Sequence, residues 1–348
     1  MPASLAPHLS GRFMKLKQNG GTRTVAPLAS TTRRAKLHGV FAALFTVLLW
    51  SSWIITSKLG MSANIPQFDM ALIRYGFPAL GFSFFVFRAR RLLLGIPRIH
   101  LWAMCFGAGL PFFYLGTLGM KFAPATHAGI LIPGTFPFFV SLIAVVVYRE
   151  SLSLQRALGL AAIFLGIVVL IVPEIISASD YTLVFGHLLF LAASLCWSCF
   201  TVSMRVSGVP PLAASGVFSL FSVLGLALFF VLGGRDSDVH DAAFSDKLDV
   251  YFTLFAVQGV MVGLLAGFSF GFAIHRLGAE KTAALGALTP VVSMVLAAPV
   301  LGEVVSLSTL FALFIVCLGV LSASGLNLLS IFKMNLGEGG KRSVVVRS

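Results

Sequence analysis

The chain has 348 residues, 58% of them hydrophobic and only 11% charged, which excludes a water-soluble domain of ordinary balance. Its net charge of +13 raises nucleic acid as a partner, but the distribution of that charge points to membrane orientation instead. Thirty-three Phe and 34 Gly suit helices packed in lipid, where glycine lets backbones approach closely.

Residues 1–37 form a separate zone. They carry Arg12, Lys15, Lys17, Arg23, Arg33, Arg34 and Lys36, and the first acidic residue is Asp69. A disordered cytoplasmic tail is the preferred reading; a transit peptide and sequence upstream of a start at Met14 are the alternatives. A cleaved secretory signal would need a short apolar core followed by a small-residue site, and that pattern is missing.

From His38 onward apolar segments follow one another with short connections. They cover about 38–57, 68–87, 100–120, 126–148, 154–172, 184–204, 212–232, 252–274, 281–301 and 307–330. Each is near the ~20 residues that cross a ~30 Å hydrocarbon core. The expected fold is an all-α integral membrane protein with ten transmembrane helices.

Those helices fall into two halves. At an offset of 147, Trp50 meets Trp197, Ser51 meets Ser198 and Lys58 meets Arg205. At an offset of 153, Pro137 meets Pro290, Glu150 meets Glu303 and Gly166 meets Gly319. The polar loop Gly233–Asp249 takes up the difference. Five helices per half is an odd number, so the second copy enters from the opposite side, as an inverted repeat.

Positive charges set the expected orientation. With the N-terminus inside, 20 Lys and Arg fall on cytoplasmic segments and four (Lys58, Lys121, Arg235, Lys247) outside, while Arg74 lies within a span. Both termini are then cytoplasmic, in the cell (inner) membrane.

The fourth and ninth segments carry the site expectation. Pro133 and Pro137 interrupt the fourth, and Pro290 interrupts the ninth. A proline within a helix removes one N–H and frees the carbonyl four residues back. In a bilayer that carbonyl must find a partner or line a cavity. Pro137 and Pro290 free the carbonyls of Pro133 and Gly286, so substrate is expected between these two helices. A kink without any site is the competing reading. Arg74, about six residues into its helix, must face the bundle or snorkel toward Asp69. Trp50 and Trp197 lie mid-span, where they either pack or stack on substrate. Tyr114 and His127 are polar groups near the outer ends of their helices, and His127 is a candidate proton relay or a satisfied histidine. Glu150 and Glu303 close their repeats at opposite faces, as gating or coupling candidates or as structural groups bound to backbone or a base. Gly259, Gly263, Gly267 and Gly271 repeat every four residues, which suits a groove for a neighbouring helix or a cavity wall. Cys196 and Cys199 share a helix face, but no second pair or nearby histidine completes a metal or redox motif.

Two inverted five-helix repeats, each with Pro in its fourth helix and Glu at that helix's end, resemble the drug/metabolite transporter superfamily, EamA type. Trp-Ser in each first helix and Arg in the second also fit. The resemblance covers about residues 38–330, as repeats over 38–172 and 184–330 followed by a cytoplasmic tail over 331–348. It implies export or uptake of a small metabolite or drug-like molecule through a central cavity between the halves, without ATP. With the inverted repeat this reads as a secondary transporter working by alternating access, and the residues themselves point to no cofactor, no metal, no catalysis and no nucleic acid. Proton or ion coupling is a further implication, and oligomeric state is left open. Phe221 stands where a second Arg74 would project, and Pro133 has no counterpart, so the cavity is expected to be asymmetric. A channel or lipid scramblase is the alternative, followed by a membrane-embedded enzyme. Saturable, competed transport would separate a carrier from a channel.

Overall fold

In lipid, an apolar run can pair every backbone N–H and C=O within itself only as a helix. The computed structural model describes residues 33–176, 181–234, 237, 243–277, 282 and 285–323, and among these every regular element is helical. The basic zone up to residue 32, Asp236, Asp238 and Asp241 of the polar loop, and residues 324–348 lie outside them.

The first half runs through α1 (Arg33–Ser62), α2 (Gln67–Gly95), α3 (Arg98–Ala108), α4 (Leu110–Phe122), α5 (Ala125–Val146) and α6 (Leu154–Ile176). The second runs through α7 (Tyr181–Ser207), α8 (Pro211–Val231), the short α9 (Ala243–Asp246) and α10 (Leu248–Leu254). A π-helical stretch, Phe255–Leu265, then leads into α11 (Ala266–Leu277), α12 (Thr289–Leu301) and α13 (Leu307–Ala323). Eight of these helical runs are long and apolar enough to cross a membrane, and α12 and α13 are shorter apolar helices.

Three spans depart from the expected regular helix; in the ninth a turn at 287–288 precedes α12, so Pro290 lies in that helix's first turn rather than in its middle. The third span is broken at Gly109 (φ −91°, ψ −148°), which separates α3 from α4. A Cβ there would collide with the Cys105 carbonyl, and Pro111, at the start of α4, could not continue α3 without losing a hydrogen bond. The eighth winds wider over Phe255–Leu265, in the i→i+5 form that is rare and occurs mostly as short bulges inside α-helices.

Interhelical packing repeats the symmetry of the sequence. The pairs α6–α13, α2–α8 and α5–α12 each map onto themselves when the halves are exchanged. The pair α5–α7 maps onto α12–α1, and the contacts of α7 with α3 and α4 map onto those of α1 with the π stretch and α11. The two halves are therefore interleaved rather than side by side. Serine and threonine turn inward, with Ser51, Thr117, Thr135, Ser194, Ser198 and Thr289 buried, while Leu80, Phe84, Leu158, Leu228 and Phe314 face outward. This is the polarity expected of a protein bathed in lipid, where hydroxyls bridge helices and bond carbonyls.

The closest backbone approach lies between α6 and α13. A Cβ on Gly319 would sit 2.7 Å from both the Gly159 carbonyl and the Ile163 amide nitrogen, neither of which can rotate away. Gly319→Val should therefore destabilise the bundle by about 1–3 kcal/mol or more through overpacking. Thermal unfolding in detergent checks this. An unchanged midpoint would contradict the close seam.

Candidate functional site

An internal cavity of about 160 Å³ lies among α1, α2, α5, α7, α8 and the π–α11 run. That is comparable with the roughly 150 Å³ that admits a benzene-sized molecule. Its walls include Trp50, Arg74, Phe136, Trp197, Ser219 and Phe270, and it extends toward Met204 and Pro211 at the α7–α8 turn. Aromatic rings dominate. Trp50 packs on Phe270 with centroids 5.2 Å apart, and Trp197 packs on Phe112 and Phe200 at 5.1 Å each.

Two polar atoms stand out in this apolar wall. Arg74 Nη1 and Ser219 Oγ are both buried and lack a hydrogen-bond partner within the protein. A buried polar group without a partner carries a desolvation penalty of about 1–3 kcal/mol, and more when charged. Arg74 faces Tyr75 rather than Asp69, whose carboxylate accepts from Tyr251 at 2.6 Å. The adjacent Tyr75 hydroxyl, which donates to the Ala108 and Gly109 carbonyls at the α3–α4 break, is the polar side chain that interacts with Arg74, and it leaves Nη1 unpartnered. Arg74 is thus held at the wall with hydrogen-bonding capacity to spare.

The structure brings Trp50, Arg74 and Trp197 together and leaves the other candidates elsewhere. Pro133, Pro137, Gly286 and Pro290 are not among the described residues that line the cavity. The open space lies on the far side of α5, where Phe136 projects, rather than between α5 and α12. The physical reason is local. The Thr289 hydroxyl donates to the Gly286 carbonyl at 2.7 Å, so the acceptor freed by Pro290 is already satisfied. Pro290 itself packs toward Gly134, filling the space between α5 and α12. Gly286 lies near the Trp50 ring but outside the wall, and Tyr114 packs against the cluster of Tyr75 and Phe113, of which Tyr75 lines the cavity and Tyr114 does not. Of the four spaced glycines, Gly263 and Gly267 line the cavity, while Gly259 lies close to the Ile73 carbonyl of α2.

His127 also lies away from the cavity, paired with His187 of α7. Sequence reading missed both His187 and Ser219. For Ser219 a signal existed: Ser215, Ser219 and Ser222 recur on one face of α8. For His187 there was none, because its partner comes from another helix 60 residues away.

The two closing glutamates have different surroundings. Glu303 reaches across to the start of α5, accepting from the Ala125 and Thr126 amides at 2.6 and 2.8 Å. Those amides are orphan donors at a helix N-terminus, where a carboxylate is favoured. Lys58 grips the other side of the same turn, donating to the Met120 and Ala123 carbonyls at 2.6 and 3.2 Å. At the opposite end of the bundle Glu150 pairs with Arg205 at 2.8 Å, with both side chains about half exposed. Lys58 and Arg205 are repeat equivalents, as are Glu303 and Glu150, so the same two charges occupy both ends.

The family model described as "EamA-like transporter family" matches residues 37–172 and 184–325. Among curated proteins, one named "Probable amino-acid metabolite efflux pump" from Salmonella typhimurium is 27% identical over 76% of this chain and 87% of its own length. The uncharacterized transporters YyaM and YoaV of Bacillus subtilis are 23% and 22% identical. They align over 63% and 78% of this chain, and over 70% and 92% of their own lengths. A solved structure titled only as a crystal structure of a protein shares the fold, with a TM-score of 0.54 at 20% identity over 88% of this chain and 99% of that one. With both halves of the bundle matched and the repeat pattern preserved in three dimensions, the chain belongs to the EamA-like transporter family, as a multi-pass membrane protein.

Proposed function

We propose that this protein is a secondary carrier of the cell membrane that moves a small molecule bearing a carboxylate and an apolar or ring-shaped body. The observation that carries this reading is the buried, unpartnered Arg74 Nη1 in an aromatic cavity. A guanidinium in such surroundings offers a charge-assisted bond to a carboxylate. The Trp50, Trp197 and Phe270 faces suit an apolar body, and Ser219 Oγ supplies a second polar contact. The printed name of the Salmonella relative supports an amino acid as the first probe. No residue is given a catalytic role.

Alternating access supplies the mechanism. The interleaved halves carry matching charge pairs at both ends, with the Glu303 end tied to backbone amides and the Glu150 end held by an exposed pair. Rocking of one repeat against the other exchanges which end is tied. The positive-inside pattern supports placing the Glu303 end outside and both termini in the cytoplasm.

The test is counterflow of labelled L-phenylalanine in proteoliposomes of purified protein. Saturable exchange is expected, competed by amino acids that keep the carboxylate and not by phenethylamine, which lacks it. Flux that rises linearly with concentration would indicate a channel. Equal competition by phenethylamine would remove the role of Arg74 in recognition.

A further inference from the structure

The turn gripped by Lys58 and Glu303 sits directly above a second polar cluster. His127 Nδ1 lies 2.8 Å from His187 Nε2, and His127 Nε2 lies 3.1 Å from Thr309 Oγ1 on α13. Both rings are buried, with His187 at 0% exposure and His127 at 9%. The remaining ring nitrogen, His187 Nδ1, is buried with no hydrogen-bond partner. None of these atoms lines the cavity, and substrate recognition by Arg74 makes no use of them.

The hydrogen bonding of the pair restricts its protons. A bond between two ring nitrogens needs one of them protonated and the other bare. If His187 donates to His127, then His127 Nε2–H faces Thr309 and His187 Nδ1 is an idle lone pair. In the reverse arrangement His187 Nδ1–H is a donor with no acceptor. Thr309 Oγ1 can serve either case, because it also shares a hydrogen bond of 2.8 Å with Ser306. The pair thus keeps one idle nitrogen whichever way it is arranged. The charged group facing His127 is Glu303, and Lys58 faces Glu303 in turn. Besides these, α7 contributes His187, α5 contributes Thr126, and α13 contributes the Thr309 and Ser306 hydroxyls.

We infer that His127 and His187 form a proton-binding site that couples opening of the Glu303 end to acid. The inference rests on the alternating-access reading. In the closed arrangement an added proton creates a positive charge beside a nitrogen that has no partner, an arrangement that burial penalises. Opening this end admits water to His187 Nδ1, so the open arrangement binds the proton more favourably. A proton that prefers one state shifts the equilibrium toward it, by linkage. The imidazolium then competes with the Ala125 and Thr126 amides for the Glu303 carboxylate, which loosens the tie on α5. On closing, the proton returns to water and Glu303 returns to the amides. One proton is bound and released, with no change in any other bond.

Two measurements test this. Nitroxide labels at Lys121→Cys and Val304→Cys flank the Glu303 contact on exposed positions, in a background with Cys105, Cys196, Cys199 and Cys317 changed to serine. Their separation in detergent is read by EPR between pH 8 and pH 5, a range that brackets an ordinary imidazole. A more separated population is expected to grow at low pH, with its ratio to the closed one rising up to about tenfold per pH unit for one proton. The double variant His127→Gln/His187→Gln should lose that response. No change in the otherwise wild-type protein would overturn the inference without reference to any variant's folding, and so would a full response in the double variant.

The second measurement uses proteoliposomes. A pH gradient should drive accumulation of L-phenylalanine in the wild type, and His187→Gln should lose accumulation while retaining counterflow. Retained accumulation in His187→Gln would overturn the inference. Absence of counterflow for any amino acid in the wild type would instead remove the substrate reading, leaving the ligand-free EPR result to decide the proton site.

Discussion

Arg74→Ala is expected to reduce L-phenylalanine counterflow by about tenfold to a hundredfold while leaving the protein folded and inserted. The magnitude follows from the ~1.5–3 kcal/mol of a hydrogen bond to a charged group, lost from bound substrate. Folding should tolerate the change because Arg74 Nη1 has no partner within the protein, and Tyr75, with which the side chain interacts, keeps its bonds to the Ala108 and Gly109 carbonyls. The truncation removes a buried cation and enlarges a cavity that is already present. Arg74→Lys keeps the charge without the planar fork, so it should fall between alanine and wild type. Counterflow at matched reconstitution levels, with thermal unfolding alongside, checks both variants. Undiminished counterflow in Arg74→Ala would return this residue to a purely structural account.

The second large effect separates two residues that the repeat makes equivalent. Glu303→Ala should lower thermal stability by about 3 kcal/mol or more. It removes two hydrogen bonds to a charged acceptor and leaves the α5 amides and Lys58 without their counter-charge. Glu150→Ala should cost at most about 1 kcal/mol, because its ion pair with Arg205 is half exposed and lies in water or headgroups. Unfolding midpoints of the two variants under one set of conditions provide the comparison. Equal losses would mean that both ends are tied alike, against the asymmetry described above.

How much of this was legible beforehand depended on the range over which each feature is determined. Ten apolar segments and two repeats are written locally, in segment length and in pairs such as Trp50–Trp197 and Glu150–Glu303, and they reappear as helices and packing partners. The break at Gly109 was partly legible, since Gly109-Leu110-Pro111 is a poor helix interior, but an apolar run of the right length masked it. The π stretch was not, because no local residue pattern marks it and the neighbours that close on Gly263 and Gly259, Pro78 and Ile73, come from another helix.

The site divides in the same way. A lone arginine in an apolar span declares itself through its desolvation cost, and Arg74 does line the cavity. Of the two proline-freed carbonyls, that of Gly286 is taken up by one rotamer of Thr289, a choice that sequence does not record. His187 and Ser219 acquire meaning only from what other helices leave beside them.

The π-helical stretch also fixes an angular phase. An α-helix turns about 100° per residue, so a single added or removed residue rotates everything beyond it by nearly a third of a circle. Wider winding absorbs such a residue without lengthening the helix in proportion. Removing one residue between Phe255 and Leu265 would let ordinary winding resume. Tyr251 and Leu254 would stay in register with α2 and Gly267 and Phe270 would still face Trp50 and Arg74, whereas ordinary winding forced on all the residues present would swing the second pair away. The two halves of this one helix thus serve different masters, the first keyed to the core around Asp69 and the second to the chamber, and the loose turn between them sets one against the other.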